Sequence, residues 1–187
     1  MTPATAEPRL RRLRTAELSA AEIDAIRRLL ESAFGTDPEE CFTDEDWEHA
    51  LGGLHFVLDL HGEIVAHASV VARVIHVDGR SLHAGYVEAV ATAPAYQRRG
   101  LGTRVMLEVG RYIANGFELG ALGTGELPFY ERLGWLTWSG PSSVRAATGE
   151  RRTPDEDGHI MILPTRTSPT FDPNAPISCD WRAGDVW

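Results

Sequence analysis

The segment covering residues 86–107, YVEAVATAPAYQRRGLGTRVML, constrains the fold of this chain more than any other stretch. It begins with an apolar strand, residues 87–91, that contains one acid, Glu88. The strand ends before Pro94, because proline has no backbone N–H to donate and restricts the residue before it. A glycine-containing loop follows, and then a helical run whose apolar residues share one face, namely Leu101, Val105 and Val109. The segment therefore predicts a strand, a loop and a helix in direct succession.

The loop in this segment has the composition of an anion-binding turn. Free backbone N–H groups and the positive end of the helix dipole meet at a helix start, where they hold phosphate or pyrophosphate. Gly100 and Gly102 let the main chain approach a ligand closely, while Arg98 and Arg99 add positive charge. The residues predict a phosphate-bearing cofactor here, and a solvated glycine turn is the alternative.

Two other phosphate-binding loops do not fit the pattern. A Walker loop needs lysine and then serine or threonine after its glycines, whereas Thr103 and Arg104 follow Gly102. A dinucleotide fingerprint places its first glycine directly after the strand, whereas a proline segment and two arginines intervene here. The pattern Gln-x-x-Gly-x-Gly, beginning at Gln97, instead resembles the acyl-CoA pyrophosphate loop of the GNAT N-acetyltransferase superfamily.

Length and composition limit the class of protein. We expect one domain over residues 1–187 with residues 1–8 disordered, since 187 residues suffice for a sizeable core. No run reaches the roughly 18 apolar residues of a membrane span. Residues 1–14 lack the apolar segment of an export signal, which favours a cytoplasmic protein. Cys41 and Cys179 are expected to be free thiols rather than a disulfide framework or a metal site.

The histidines do not indicate a metal site either. Six of them show no metal-ligand clustering and are expected at the surface or in hairpins: His49, His55, His61, His67, His76 and His83.

The charge distribution indicates what kind of partner the chain can take. A formal net charge of −9 argues against nucleic acid or anionic lipid. Acids concentrate in residues 37–48, in residues 155–157, and near the end of the sequence at Asp180 and Asp185. Such runs are commonly solvated faces, and they would also suit a polycationic substrate.

Hydrophobic periodicity predicts an α+β fold. Helices are expected after the capping signals at Ser19 and Thr43, after the glycine loop, and over residues 126–133. The first helix should place its apolar residues on one face: Ile23, Ile26, Leu30 and Phe34. Strands are expected over residues 9–14, 55–60, 64–77, 82–92, 119–122, 135–139 and 160–163. Antiparallel strands that run into a phosphate-binding helix exclude a doubly wound sheet, and residues 164–187 are expected to pack back on the domain.

Several longer strings resemble one branch of the GNAT superfamily, the aminoglycoside 2′-N-acetyltransferases. The string FYERLGW at residues 129–135 is similar to a cofactor-side motif of the whole superfamily. The branch is identified by DWEHALGG at 46–53, GYVE at 85–88, TPDEDG at 153–158 and CDWRAGDVW at 179–187. The resemblance extends from about Arg9 to the last residue. It implies the GNAT fold, a mixed and mostly antiparallel sheet splayed around the acyl-CoA site with flanking helices, and a homodimer.

The resemblance also implies acetyl-CoA as the cofactor. The pantetheine arm would pair with the strand at Val90, Ala91 and Thr92, and the Val90 N–H is the candidate donor to the oxyanion. The pyrophosphate would accept from the N–H groups of the loop. The remaining cofactor-binding residues are Gln97, Arg98, Arg99, Gly100, Leu101, Gly102 and Thr103.

Two residues are candidates for proton transfer. Glu88, a carboxylate in an apolar strand, can take a proton from an ammonium, and the family favours transfer through a water. A structural ion pair is the alternative role for Glu88. The resemblance places Tyr130 on a short helix facing the cofactor sulfur, where it would be the general acid; anchoring a loop is its alternative role.

The implied substrate is an aminoglycoside, whose ammonium groups need carboxylates around them. The predicted substrate-binding residues are Asp37, Asp46, Glu88, Ala89, Gly123, Glu156, Asp185 and the carboxylate of Trp187. The chain departs from the family pattern in three places. Cys41 stands where an aspartate is usual, so Asp37 or Glu40 would supply that acid, and Glu156 replaces an aspartate. A short Gly-Thr-Gly segment at residues 123–125 replaces a longer serine-rich one.

Two other functions remain open on the sequence. One is acetylation of another cationic amine, such as a polyamine, a cell-wall amino sugar or a small thiol-containing metabolite. The other is a catalytically silent acyl-CoA-binding sensor. Turnover with acetyl-CoA on an amine separates the enzymes from the sensor.

Overall fold

The computed structural model describes residues 7–37 and 41–187 of the chain. Disorder was predicted for residues 1–8, of which the structure describes Glu7 and Pro8. The alternative loop acid, Glu40, lies outside the described residues. The helices are α1 (Ala20–Phe34), α2 (Asp44–Ala50), α3 (Leu101–Gly116) and α4 (Leu127–Glu131). The first strands are β1 (Arg9–Arg14), β2 (Leu54–Leu60), β3 (Glu63–Val77), β4 (Arg80–Thr92) and β5 (Leu119–Gly123). The others are β6 (Leu136–Thr137), β7 (Ser142–Ala146), β8 (Gly149–Arg152), β9 (Ile160–Pro164) and β10 (Ile177–Asp180).

The chain divides into two compact units. The first unit comprises Met1–Val70 and Glu88–Val109, and the second comprises Val71–Val87 and Gly110–Trp187. No helix in the described ranges is long and apolar enough to cross a membrane.

The first unit contains an antiparallel ladder of β1, β2 and the beginning of β3. Arg9 lies opposite Asp59, and Leu54 lies opposite Val70. The turn between β2 and β3 is made by His61 and Gly62, with φ of 54° and 81°. Positive φ at both central residues is typical of the hairpin turn whose twist matches that of the strands, as the sequence predicted.

Two capped helices cover the core of the first unit. The Ser19 hydroxyl accepts from the Glu22 N–H, and the Glu22 carboxylate accepts from the Ser19 N–H in return. α1 buries Ile26 and Leu30 as predicted, whereas Phe34, at the end of the helix, is 43% exposed. α2 has the same reciprocal cap at its own N-terminus. The core residues are Leu18, Ile26, Leu29, Leu30, Trp47, Ala50, Val57 and Ala91.

The strands that lie wholly or partly in the second unit neighbour one another in the order β6-β9-β5-β4-β3-β10-β7-β8. The turn between β3 and β4 is made by Asp78 and Gly79, again with positive φ of 48° and 75°. β10 lies antiparallel to β3 and parallel to β7. The periodicity of the sequence predicted none of β7, β8 and β10, because short strands among Pro, Ser, Asp and Gly carry little pattern. The predicted helix over 126–133 is shorter, since α4 ends at Glu131.

Cys41 and Cys179 form no disulfide with each other and lie in different surroundings. Cys179 is fully buried in β10, and its thiol donates to the Val186 carbonyl at 3.1 Å. Burial raises the pKa of the Cys179 thiol to about 11. Cys41 is partly exposed between α1 and α2.

Candidate active site

The end of β4 contains a residue in the left-handed backbone region. Ala89 has φ of 52°, which is uncommon for a residue other than glycine and strained inside an extended strand. Such a residue changes the direction of the side chains before and after it. We call Glu88, Ala89 and Val90 the β4 kink; all three are partly buried in the first unit.

The loop after β4 leads directly into the N-terminus of α3. A short 3₁₀ helix, Pro94–Tyr96, follows the strand, and the Gln97 side-chain amide donates to the Thr92 carbonyl at 3.2 Å. Gly100 then takes φ of 77°, and α3 begins at the next residue. Arg98 also takes a positive φ, 59°, which the sequence did not indicate.

The charged side chains of the loop face solvent. Arg98 and Arg99 are exposed, and the Arg99 guanidinium lies 5.3 Å from the centre of the Tyr96 ring. The Tyr96 hydroxyl donates to Glu63 at 3.1 Å. The predicted residues Leu101, Gly102 and Thr103 form the first turn of α3, whose N–H groups have no partner within the helix.

Tyr130 lies in α4 in an aromatic setting of the second unit. It is 7% exposed, and its ring meets Phe129 and Trp135 edge to face, with centroids 4.9 Å and 6.1 Å away. Burial, followed by the negative charge of Glu126, raises the pKa of the Tyr130 hydroxyl above its usual value of 10.0. The hydroxyl therefore keeps its proton at neutral pH, as a general acid must.

The second unit brings four of the predicted substrate-binding residues close together. Trp187 is buried, and its N–H donates to the Asp185 carboxylate at 3.1 Å. A Cβ placed on Gly123 would lie 3.7 Å from the backbone carbonyl carbon of Trp187. Burial, and then the negative charge of Asp185, raises the pKa of Glu156. The four residues form what we call the acidic cluster: Gly123, Glu156, Asp185 and Trp187.

Side chains that the sequence did not indicate hold the acidic cluster in place. The Trp187 indole N–H donates to the Thr153 hydroxyl at 3.0 Å. Arg182 donates to the main-chain oxygens of Asp185 at 2.6 Å and Trp187 at 3.0 Å. Arg73 donates to the Val186 carbonyl at 2.8 Å. Arg182 was within reach of sequence reasoning, because it belongs to the string CDWRAGDVW, whereas nothing in the sequence singled out Arg73.

The remaining predicted acids, Asp37 and Asp46, lie in the first unit. The Asp46 carboxylate accepts from the Thr43 N–H at 2.8 Å and from its hydroxyl at 2.7 Å, so it caps α2. The Asp37 carbonyl accepts from the Cys41 N–H at 2.7 Å. Asp46 therefore has a structural role in addition to any contact with a substrate.

Of the two expected locations, surface or hairpin, the surface is wrong for His55, His67 and His76, which lie in the hairpin strands β2 and β3. His55 and His67 are fully buried, and His76 is 9% exposed. Strand alternation explains the error. A histidine in a strand can face either side of the sheet, and the sequence pattern of β2 and β3 does not show which side is buried. His76 accepts from Arg145 at 2.6 Å and lies 3.2 Å from Asp180.

Comparisons with known proteins identify the family. The family described as "Acetyltransferase (GNAT) domain" matches residues 14–137. The aminoglycoside 2′-N-acetyltransferase of Mycolicibacterium fortuitum is 40% identical over 181 residues, which cover 95% of this chain and 91% of that protein. This chain belongs to the aminoglycoside 2′-N-acetyltransferase family of the GNAT superfamily. The family predicted from the sequence is confirmed.

Solved structures confirm the predicted GNAT fold for this family member. The GNAT protein YhbS from Escherichia coli, in complex with CoA, aligns with a TM-score of 0.65 at 14% identity, covering 96% of this chain and 92% of that one. A GCN5-related N-acetyltransferase from Kribbella flavida aligns with a TM-score of 0.59 at 23% identity, covering 75% of this chain. The chain spans 36% of the Kribbella protein, which is much longer.

Proposed function

We propose that this chain transfers the acetyl group of acetyl-CoA to the 2′-amine of aminoglycosides. The observation that carries the proposal is the 40% identity with an aminoglycoside 2′-N-acetyltransferase over 95% of the chain. The acidic cluster supports the proposal independently. Burial and the charge of Asp185 make a second negative charge on Glu156 unfavourable, and a cation beside the two carboxylates would relieve this repulsion.

The loop before α3 fits the pyrophosphate of acetyl-CoA. Among the described residues, apart from the chain neighbours of Gly100, no heavy atom lies within 4 Å of the position that a Cβ on Gly100 would take, so space beside the main chain is open. The N–H groups at the start of α3 would donate to the pyrophosphate, and Arg98 and Arg99 would add charge. Val90, Ala91 and Thr92 would pair with the pantetheine arm.

The chemistry needs an activated amine, a donor to the carbonyl oxygen and a proton for the sulfur. Acetyl-CoA supplies an acetyl thioester that is ready for attack by an amine. Glu88 removes a proton from the substrate ammonium through a water, and the neutral amine forms the new C–N bond. The Val90 N–H donates to the carbonyl oxygen as its negative charge grows. As the C–S bond breaks, Tyr130 would give its proton to the departing sulfur, and the second proton of the nitrogen would return to the Tyr130 oxygen through water. Glu88 would release its proton to solvent.

Carboxylates would hold the ammonium groups of the substrate. In the second unit, Asp185 and Glu156 of the acidic cluster would accept from them. Ala89 and Gly123 would contribute backbone groups, since neither has a polar side chain.

A thiol-release assay with a matched pair of drugs tests the proposal. Kanamycin B carries an amine at the 2′ position, and kanamycin A carries a hydroxyl there. We expect CoA release with kanamycin B and very little with kanamycin A, and NMR of the product should place the acetyl group on the 2′ nitrogen. Equal release with both drugs would refute the 2′ assignment, and CoA binding without release on any amine would indicate a sensor.

We also propose a homodimer, which the family resemblance implies. Light scattering of the purified protein at graded concentrations tests it. A mass equal to one 20.5 kDa chain at all concentrations would contradict it.

A further inference from the structure

Two buried histidines of the first unit join Thr15 to Ala89 through consecutive hydrogen bonds. The Thr15 hydroxyl lies 2.9 Å from His55 Nε2, and His55 Nδ1 lies 3.0 Å from His67 Nε2. His67 Nδ1 lies 2.8 Å from the Ala89 carbonyl oxygen. At the other end, the Gly52 N–H donates to the Thr15 hydroxyl oxygen at 3.0 Å. We call Thr15, His55 and His67 the histidine chain.

The partners at the two ends give the histidine chain one direction. A carbonyl oxygen only accepts, so His67 carries its proton on Nδ1. Burial lowers the pKa of His67 to about 3 and that of His55 to about 4, so both rings are neutral and each has one bare nitrogen. His67 Nε2 therefore accepts from His55 Nδ1–H, and His55 Nε2 accepts from the Thr15 hydroxyl. Every member donates toward Ala89.

Other roles for the histidine chain do not fit this arrangement. A proton relay needs an acceptor that can be protonated at its end, and an amide carbonyl is not one. A metal site needs free ring nitrogens, and all four nitrogens of His55 and His67 have partners. Among the described residues no group of three metal-ligating side chains occurs.

The feature at the end of the histidine chain is the strained residue of the β4 kink. Ala89 has a left-handed conformation that an alanine leaves readily for the extended one unless its surroundings hold it. If Ala89 became extended, the side chains after it would change faces, because faces alternate along a strand. A donor fixed at the Ala89 carbonyl opposes that change.

We propose that the histidine chain is a positioning device, in which His67 holds Ala89 in its left-handed conformation and thereby orients Glu88 and Val90 for acetyl transfer. Its effect on catalysis rests on the function proposed above, whereas its effect on Ala89 does not. The fixed N–H tautomers are part of the device, because reversing either ring would place two lone pairs or two protons against each other.

The first test reads the tautomers without any substrate. In the protein labelled with ¹⁵N at its histidines, long-range ¹⁵N–¹H spectra at pH 7 should show His55 and His67 neutral and protonated on Nδ1. Thr15→Val removes the hydroxyl that donates to His55 Nε2, so the ¹⁵N shift of that nitrogen should change, while both tautomers should be kept because His67 and the Ala89 carbonyl fix them. A charged ring, or a proton on Nε2 of either histidine in the wild-type protein, would overturn the proposal.

The second test uses two replacements of similar size at His67. Asn can place an N–H close to the position of Nδ1, whereas Leu cannot. We expect His67→Leu to speed amide hydrogen exchange at Ala89 and Val90 and His67→Asn to restore slow exchange. With kanamycin B, His67→Leu should lower kcat by about 10- to 100-fold, since a misplacement of about 1 Å can cost that much. The KM for acetyl-CoA should stay within about twofold, and His67→Asn should recover most of kcat.

The two readouts separate the possible failures. If the wild-type protein acetylates neither drug, the proposed function fails, and the exchange data still decide whether His67 holds Ala89. If exchange at Ala89 is the same in His67→Leu and in the wild-type protein, the positioning role is wrong. Should His67→Leu not fold, His67→Phe keeps a ring of similar size without the Nδ1–H. Unchanged amide exchange at Ala89 and unchanged kcat in His67→Phe would overturn the proposal.

Discussion

Glu88 directly precedes Ala89, the residue of β4 at which the backbone leaves the ordinary extended conformation. Glu88 is a partly buried residue, and its strained neighbour Ala89 matches what a base held in one orientation requires. Glu88→Gln should therefore lower kcat by about 100- to 10,000-fold, the usual contribution of a general base, with little change in the KM for acetyl-CoA. Steady-state thiol release measures both.

Glu45→Gln is the matched control for Glu88. Glu45 is an exposed acid in the first turn of α2 and has no part in the proposed chemistry. It should keep kcat close to that of the wild-type protein. A loss in Glu88→Gln no larger than that in Glu45→Gln would exclude Glu88 as the base.

His55 and His67 also determine how stability depends on pH. Their pKa values in the folded chain are lowered from 6.5 to about 4 and about 3, so below pH 6.5 the unfolded chain binds more protons than the folded one. The free energy of unfolding should fall as the pH drops through this window, by about 1.4 kcal/mol per pH unit for each histidine. The pKa of Glu22 is also lowered, to about 2, but its contribution is lost only below 4.5.

Urea unfolding at several pH values between about 7 and 5 measures this dependence. His67→Asn should reduce the slope to about half, because one of the two buried rings is gone. An equal slope in both proteins would mean that the buried histidines are not its cause.

At the scale of single elements, α1 depends on its N-terminal cap. Ser19→Ala should cost about 1 kcal/mol of unfolding free energy, because the Glu22 N–H loses its acceptor. Ser32→Ala, an exposed position inside the same helix, should be neutral or slightly stabilising, since alanine has the higher helix propensity. Equal losses in the two variants, measured by urea denaturation, would contradict the capping role.

Local signals predicted most elements, and non-local pairing explains those that were missed. The hairpins at His61 and Asp78 and both capped helices depend on neighbouring residues, so their patterns were legible. β10 has four residues, and only its place between β3 and β7 makes it a strand. The residues of β10 themselves carry no local signal of that pairing.

The same distinction holds for the candidate site. The residue type at Gly100 is compatible with its left-handed conformation, because glycine adopts it without strain. The residue types at Ala89 and Arg98 give no such indication, since ordinary residues reach positive φ only when contacts from elsewhere hold them. The partners of Ala89 are His67 in β3 and, beyond it, His55 in β2, and no local pattern connects these residues.

On the scale of the whole molecule, net charge should govern how strongly a polycation binds. The chain carries a formal charge of −9, and its acids include the half-buried Glu156. The KM for kanamycin B should therefore rise with ionic strength, because salt screens exposed charges beyond about 10 Å at 0.1 M. A KM that does not change between low and moderate salt would remove this role for the acids.

The last residue of the sequence is part of the core of the second unit. Trp187 is 3% exposed, whereas Trp181, six positions earlier, is 58% exposed. Trp187→Ala should cost about 3 to 5 kcal/mol of unfolding free energy and raise the KM for kanamycin B. Trp181→Ala should stay within about 0.5 kcal/mol of the wild-type protein. Similar losses in both variants would mean that the contacts of Trp187 contribute little.

The two thiols differ in their surroundings, so a fluorescent dye can be attached to one of them selectively. Cys179 is enclosed in β10 and its raised pKa disfavours the reactive thiolate, so a maleimide dye should attach to Cys41 alone. Cys41 precedes α2, whose first turn holds three acids. A fluorophore there should report the arrival of a drug as a change in emission, without any engineered cysteine.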